Sequence, residues 1–142
     1  MNKLAASALV LSLLSSAAWA ADPVKIGFLS TFSGPTGQLG QELLDGFNLA
    51  LEENCKTTVG RPVDVTQGDD QSKPDLAKTA LQEAYEDDKV ALAIGTSSSA
   101  AALAMLPVAE EQKKILIVEP AVADSITGDK WNRYIFRTAR NS

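Results

Sequence analysis

The alternation of short apolar runs with longer helix-like segments constrains the fold of this chain more than any other feature. The runs are mostly Val, Ile and Leu, as expected of strands. In the longer segments, apolar residues recur every three or four positions, the spacing of one helical face. The predicted strands are residues 24–29, 63–67, 90–94, 115–118 and 133–137, with helices at 39–53, at 74–87 and from the serines at 97–99 toward Lys114. This order predicts the α/β class: an open parallel sheet with helices on both faces.

The composition of the strands and helices predicts what covers them. Residues 115–118 are apolar throughout, which is typical of a strand covered on both faces. Residues 63–67 alternate apolar and polar, which indicates a strand near a sheet edge with one wet face. The apolar stripe of the first helix is predicted to be Leu39, Leu43, Phe47 and Leu51, and that of the second Leu76, Ala77, Ala80, Leu81 and Ala84.

The turn after the third predicted strand concentrates polar groups. Gly95 ends the strand, and three serines at positions 97–99 precede the next helix. In open α/β sheets, ligands bind at the carboxyl ends of strands. The unpaired N–H groups of a helix N-terminus favour anionic groups such as carboxylates. One serine is expected to cap the helix, and at least one of the other two is expected to face a ligand.

Three other loops are candidates for chemistry. The glycine-rich loop at residues 30–40 lacks the Lys-Ser/Thr pair of a phosphate loop and the G-x-G-x-x-G spacing, so a nucleotide is not favoured. The pair Asp69-Asp70 lacks the further oxygens and the distal Glu of an EF-hand, so a plain loop leading to Pro74 is favoured over a metal site. Residues 119–125 follow the fourth predicted strand and form a second candidate ligand loop.

The charge and residue content exclude several functions. The chain has 13 basic and 18 acidic residues and no His. Without a basic patch, nucleic acid is not expected as a partner. Without His, the usual catalytic triads and most transition-metal sites are excluded, and no cofactor is expected. The single cysteine, Cys55, cannot form an internal disulfide, so it is either buried and inert or paired outside this chain.

The first twenty residues are predicted to be a secretory signal peptide. Lys3 gives a positive start, an uncharged apolar segment follows, and Ala18-Trp19-Ala20 fits the small-x-small cleavage pattern. Cleavage is expected before Ala21, which places the mature protein in the periplasm. The alternative, a membrane anchor, is disfavoured because the apolar segment is short and contains serines.

Five stretches together resemble one family, the type I solute-binding proteins of ABC importers. They are KIGFLSTFSGPTGQLG, DDQSKPDLA, AIGTSSSAAALAMLPVAEE, EPAVADSIT and YIFRTARNS, and they cover essentially all of residues 24–142. The branch includes the leucine/isoleucine/valine-binding and the aromatic-acid-binding proteins. The resemblance implies two Rossmann-like lobes that close on a ligand. Residues 21–142 would be the N-terminal lobe, with the second lobe outside this chain.

The resemblance also implies individual ligand contacts. A serine of the central turn holds the bound amino acid in this family, which points to Ser99, or to Ser98 if the register shifts by one. Ala121 occupies a backbone-contact position, and Ala123 stands where the family has a hydroxyl. Leu39 stands where amino-acid binders often carry an aromatic residue. These two differences favour an aromatic acid slightly over a branched-chain amino acid.

The expected function is therefore binding, with no catalysis. The protein would carry a small carboxylate-bearing solute, an amino acid or an aromatic acid, to an ABC permease in the inner membrane. An enzyme would need a nucleophile–base pair or a cofactor fingerprint, and the sequence has neither. The alternative is the extracytoplasmic sensor domain of a receptor, which uses the same lobe architecture.

Overall fold

The computed structural model describes residues 21–142 except Cys55 and Val59, so the predicted signal peptide and the state of Cys55 lie outside the described residues. The elements are β1 (Val24–Ser30), α1 (Gly37–Glu53), β2 (Thr57–Thr58), β3 (Arg61–Asp69), α2 (Pro74–Glu86), β4 (Leu92–Ile94), α3 (Ser99–Gln112), β5 (Ile115–Val118), a short 3-10 helix (Asp124–Ile126) and β6 (Ile135–Arg137). In this part of the chain, no helix is both long and apolar enough to cross a membrane.

The strands form one six-stranded sheet in the order β2-β3-β1-β4-β5-β6. All neighbours pair in parallel except β2 and β3, which are antiparallel. The predicted parallel α/β sheet is confirmed. The two-residue strand β2 was not predicted, because two exposed threonines carry no apolar pattern. The chain winds outward on opposite sides of β1, so the order reverses between β1 and β4, and a crevice forms at their carboxyl ends.

One face of the sheet is covered by α2 and α3 over its central strands. Leu81 on α2, Met105 on α3 and Leu116 on β5 are all completely buried there. The side chain of Tyr85 joins this core, and its hydroxyl donates to the carbonyl of Ile115 at 2.9 Å. Burial raises the pKa of Tyr85. This core fixes α3, and therefore the turn that precedes it, against the sheet.

The other face is only partly covered by α1. Phe28 of β1 and Phe47 of α1 pack with their ring centroids 5.3 Å apart, so helices lie on both faces as predicted. On β5 and β6 of the same face, Ile115 is 39% exposed and Phe136 is 53% exposed. The prediction that residues 115–118 are covered on both faces is therefore wrong. The cause is that α1 packs over β1, at a distance of two strands from β5.

The helical stripes are correct except at their first residues. Leu39 is 43% exposed and Leu76 is 36% exposed, whereas Leu44 and Leu81 are buried. Both exposed leucines lie in the first turn of their helix, where the helix extends past the sheet edge toward the carboxyl ends of the strands. Leu39 belongs to α1 as predicted, although the helix begins two residues earlier than expected, at Gly37.

Candidate functional site

The candidate site lies where β1 and β4 end, at the reversal of strand order. Gly95 is required here because a Cβ atom on it would lie 2.1 Å from the carbonyl oxygen of Leu29. The backbone of the turn therefore passes directly against β1. Thr96 follows and is completely buried. The turn is thus built into the sheet edge and delivers the next three serines to the start of α3.

Ser98 caps α3. Its backbone is extended, and its Oγ accepts a hydrogen bond from the N–H of Ala101 at 3.4 Å. This confirms that one of the three serines caps the helix. The cap satisfies the N–H of Ala101, while the N–H groups of Ser99 and Ala100 precede the first intrahelical bond of α3. Ala100 is exposed, so the amino end of the helix is open to solvent.

Ser99 is oriented toward the second loop. Its Oγ accepts a hydrogen bond from the N–H of Ala123 at 3.2 Å, and the residue is half-buried. A serine hydroxyl has two acceptor positions and one proton. Because Oγ serves Ala123 as an acceptor, the proton of Ser99 remains available to donate to another group.

The second loop is held against the central turn by its backbone. Ala121 is buried, and its N–H donates to the carbonyl of Thr96 at 3.1 Å. Ala123 is half-buried, and its carbonyl accepts from the guanidinium of Arg137 at 2.8 Å. The structure thus brings Ser98, Ser99, Ala121 and Ala123 together at one edge.

Leu39 is related to these residues only by sharing the same sheet edge. The first turn of α1 sits on the end of β1, where Gly40 is so close to the carbonyl oxygen of Thr31 that a Cβ would lie 2.0 Å from it. The structure describes no hydrogen bond between Leu39 and the central turn. Its side chain is partly exposed.

A buried carboxylate, Asp70, connects the loops of this edge, and sequence reasoning did not assign it that role. It is fully buried. Its Oδ1 accepts from the hydroxyl of Thr31 at 2.6 Å and from the N–H of Ser72 at 2.8 Å, and its Oδ2 accepts from the hydroxyl of Thr96. The sequence carried no signal of this role, because Asp70, Thr31 and Thr96 come together only through the order of the strands.

Asp69 stabilises the first loop. Its Oδ1 accepts from the N–H groups of Phe32 at 2.9 Å and Gln71 at 3.0 Å. Burial raises the pKa of this carboxyl, but hydrogen bonds from the Ser33 side chain and from the N–H groups of Phe32, Gln71 and Ser33 outweigh it, so the pKa lies below its ordinary value. Among the described residues, no three His, Cys, Asp or Glu side chains converge as a metal site would require.

Arg137 is a second residue that sequence reasoning missed. Its guanidinium also donates to the hydroxyl of Thr127 at 2.6 Å and to the side chain of Asn141. An arginine at the end of an edge strand carries no sequence signal of a loop clamp, because two of its partners are backbone carbonyls, which any residue has. Its position fixes the second loop from the side opposite to Ser99.

The candidate site is an open edge and not an enclosed pocket. A groove of about 570 Å³ lies elsewhere, between α1 and the amino-terminal halves of the strands, and is lined by Ile26, Phe47 and Leu92 among others. The serines do not line it.

The fold and the edge together define one lobe of a ligand-binding α/β protein. Residues 23–142 match the sequence profile of the family described as "Periplasmic binding protein". The chain belongs to this family, as the sequence resemblance predicted.

Known relatives agree with this assignment. The chain is 30% identical over 141 residues to the Leu/Ile/Val-binding protein homolog 6 of Brucella abortus, covering 98% of this chain and 35% of that protein. It is 59% identical, with a TM-score of 0.81, to an ABC-type branched-chain amino acid transporter from Rhodopseudomonas palustris, covering 83% of this chain and 33% of that one. A benzoate-bound solute-binding protein from R. palustris is 30% identical with a TM-score of 0.80, and the match covers 84% of this chain and 33% of that one.

The matched solved structures from R. palustris are named for transport. The family and its relatives are solute-binding proteins of ABC transporters and not enzymes, and the family name implies an extracytoplasmic location. The chain spans about one third of the length of the relatives that it matches.

Proposed function

We propose that this chain is the N-terminal lobe of a periplasmic solute-binding protein that presents a carboxylate-bearing solute to an ABC permease. The observation that carries the proposal is that two adjacent serines have different hydrogen-bonding roles. Ser98 caps α3, and Ser99 accepts from Ala123 while keeping its own proton free to donate. Beside that proton lie the N–H groups of the first turn of α3, which favour an anion.

The proposed solute class is a carboxylate with a large apolar body. Ala123 provides no hydroxyl, and its N–H is already committed to Ser99. Leu39 adds aliphatic surface at the same sheet edge. A benzoate-like acid needs a carboxylate anchor and apolar contacts, which this lobe offers. A branched-chain amino acid remains the second candidate, supported by the name of the Brucella relative. Its ammonium group would need partners from a second lobe.

The test uses a two-lobed chimera, in which residues 21–142 are followed by the remaining part of the R. palustris protein that is 59% identical. A thermal-shift panel compares leucine, isoleucine and valine with benzoate and 4-hydroxybenzoate. A ligand at a hundred times its dissociation constant adds about 2.7 kcal/mol of stability. The unchanged R. palustris protein, which has the same second lobe, is the reference, and the chimera is expected to favour benzoates over the amino acids more than this reference does. A preference for leucine or valine no weaker than in the reference would refute the solute class, and no stabilisation of the chimera by any of these ligands would refute the proposed function.

A further inference from the structure

The buried carboxylate of Asp70 joins three loops, each of which follows a different strand. Its own N–H donates to the carbonyl of Ser30 at 3.0 Å, which continues the pairing of β3 with β1 by one residue. Its oxygens reach Thr31 after β1, Ser72 in its own loop and Thr96 after β4. The hydroxyl of Thr31 reaches the same loops, through Asp70 and Ser72 after β3 and Ser97 after β4.

The burial of this group requires a reason. A buried carboxylate is costly unless hydrogen bonds compensate for its lost water. The ion pairs found in the described part of the chain are Lys56–Glu52 and Lys130–Asp129, and neither involves Asp70. Hydrogen bonds alone therefore compensate it. A carboxylate is suited to this because it accepts several bonds at once, through both oxygens.

The bonds of Asp70 lead to the serine turn by two short routes. Thr96 donates to Asp70 through its hydroxyl and accepts from the N–H of Ala121 through its carbonyl, which ties the second loop to the same point. Thr31 donates to Asp70 and accepts from the hydroxyl of Ser97 at 3.4 Å. Hydrogen bonds therefore connect the buried carboxylate of Asp70 both to the turn before Ser99 and to the loop that contacts Ser99.

We propose that Asp70 is a positioning residue for ligand binding: acting through Thr96, it holds the serine turn and the second loop in the arrangement that presents Ser99 and the amino end of α3. The proposal rests on the function proposed above. Its physical basis is preorganisation, since a site already held in its bound geometry loses less free energy to ordering when the ligand binds.

The first test measures amide hydrogen exchange in the described chain without ligand. The variants are Asp70→Asn, which replaces one acceptor by a donor, and Thr96→Val, which removes only the hydroxyl. Exchange at the N–H groups of Ala121 and Ala123 is expected to accelerate about tenfold or more, while Leu116 in the sheet keeps its protection. Thr96→Ser retains the hydroxyl and should restore protection. Asp64→Asn, an exposed carboxylate on β3, is the matched control.

The second test measures benzoate affinity in the two-lobed chimera by calorimetry, at a temperature where every variant is fully folded. Thr96→Val is expected to weaken binding about tenfold, and Thr96→Ser and Asp64→Asn to leave it near the native value. A merely structural role would lower the melting temperature and leave this affinity unchanged, which would overturn the proposal.

The outcomes separate this proposal from the proposed function. Native-like protection of Ala121 and Ala123 in Thr96→Val would overturn the positioning role whatever the ligand. If Asp70→Asn loses protection everywhere, Thr96→Val decides alone, because it leaves the other bonds of Asp70 in place. If the native chimera binds neither benzoate nor leucine, the proposed function fails, and the exchange experiment still decides whether Asp70 holds the turn.

Discussion

Replacing Ser99 with alanine is the most direct perturbation of the proposed carboxylate site. The change deletes one hydroxyl on the first residue of α3 and leaves the Ser98 cap intact. Two interactions are removed. One is the bond that Ser99 accepts from Ala123 within the lobe. The other is the bond that Ser99 would donate to a ligand carboxylate.

The structure assigns different magnitudes to these losses. A hydrogen bond to a charged ligand group contributes roughly 1.5–3 kcal/mol, which corresponds to about tenfold to a hundredfold in affinity. The neutral bond from Ala123 contributes about 0.5–1.5 kcal/mol of stability, a fall in melting temperature of roughly 2–6 °C for a lobe of this size. Ser98→Ala should cost about 1 kcal/mol of stability through the lost cap, with affinity little changed.

The assay pairs calorimetric affinity in the two-lobed chimera with thermal unfolding of residues 21–142, both for Ser98→Ala and for Ser99→Ala. The expected result is a crossed pattern, in which Ser98→Ala loses stability alone and Ser99→Ala loses mainly affinity. Unchanged affinity in Ser99→Ala would refute the carboxylate assignment. A large affinity loss in Ser98→Ala would show that the register of the contact is shifted by one residue.

Three further predictions follow from the described contacts and the sequence. Amino-terminal sequencing of exported protein should begin at Ala21, and material beginning at Met1 would contradict the signal peptide. By calorimetry, residues 21–142 alone should bind benzoate far more weakly than the two-lobed chimera, and equal affinities would show that one lobe suffices. The folded-state pKa of Asp69 lies below its ordinary 3.8, so its contribution is complete above that pH and is lost as the pH falls through the folded value. Denaturant unfolding should therefore show the stability difference between the native chain and Asp69→Asn shrinking below about pH 3.8; a constant difference would exclude this linkage.

The strands and helices could be predicted because their periodicity is written in the sequence, but their surroundings could not. The run at residues 115–118 is equally apolar on both faces, yet Leu116 is completely buried and Ile115 is 39% exposed. Apolar composition shows which residues favour burial, but the position of the covering helix decides which of them are buried. The exposed part of that face continues from β5 to Phe136 on β6. The exposure is therefore caused by the position of α1 and not by a local property of β5.

The residues of the candidate site also differ in whether the sequence alone could predict them. The position of Ser99 at the start of α3 could be predicted because a serine run between a strand and a helix is a local pattern. Asp70 could not, because its function depends on the parallel neighbours that bring Thr31 and Thr96 to it. Only the order β3-β1-β4 puts the ends of those three strands side by side. Before that order is known, an aspartate pair that precedes a helix is indistinguishable from an ordinary loop.

Under the proposed function, the hydrogen-bond pattern divides recognition between two lobes. The N–H groups of Ala121 and Ala123 and the hydroxyls of Thr31 and Thr96 are all committed within this lobe. What remains directed outward is the proton of Ser99 and the first-turn N–H groups of α3, all donors suited to a carboxylate. Sequence similarity in this lobe therefore indicates that the solute carries a carboxylate, and it indicates little about the rest of the solute. That is consistent with 30% identity both to a protein named for leucine, isoleucine and valine and to one bound to benzoate. Selection between those solutes should depend on the second lobe, with Leu39 and Ala123 as modest biases from this one.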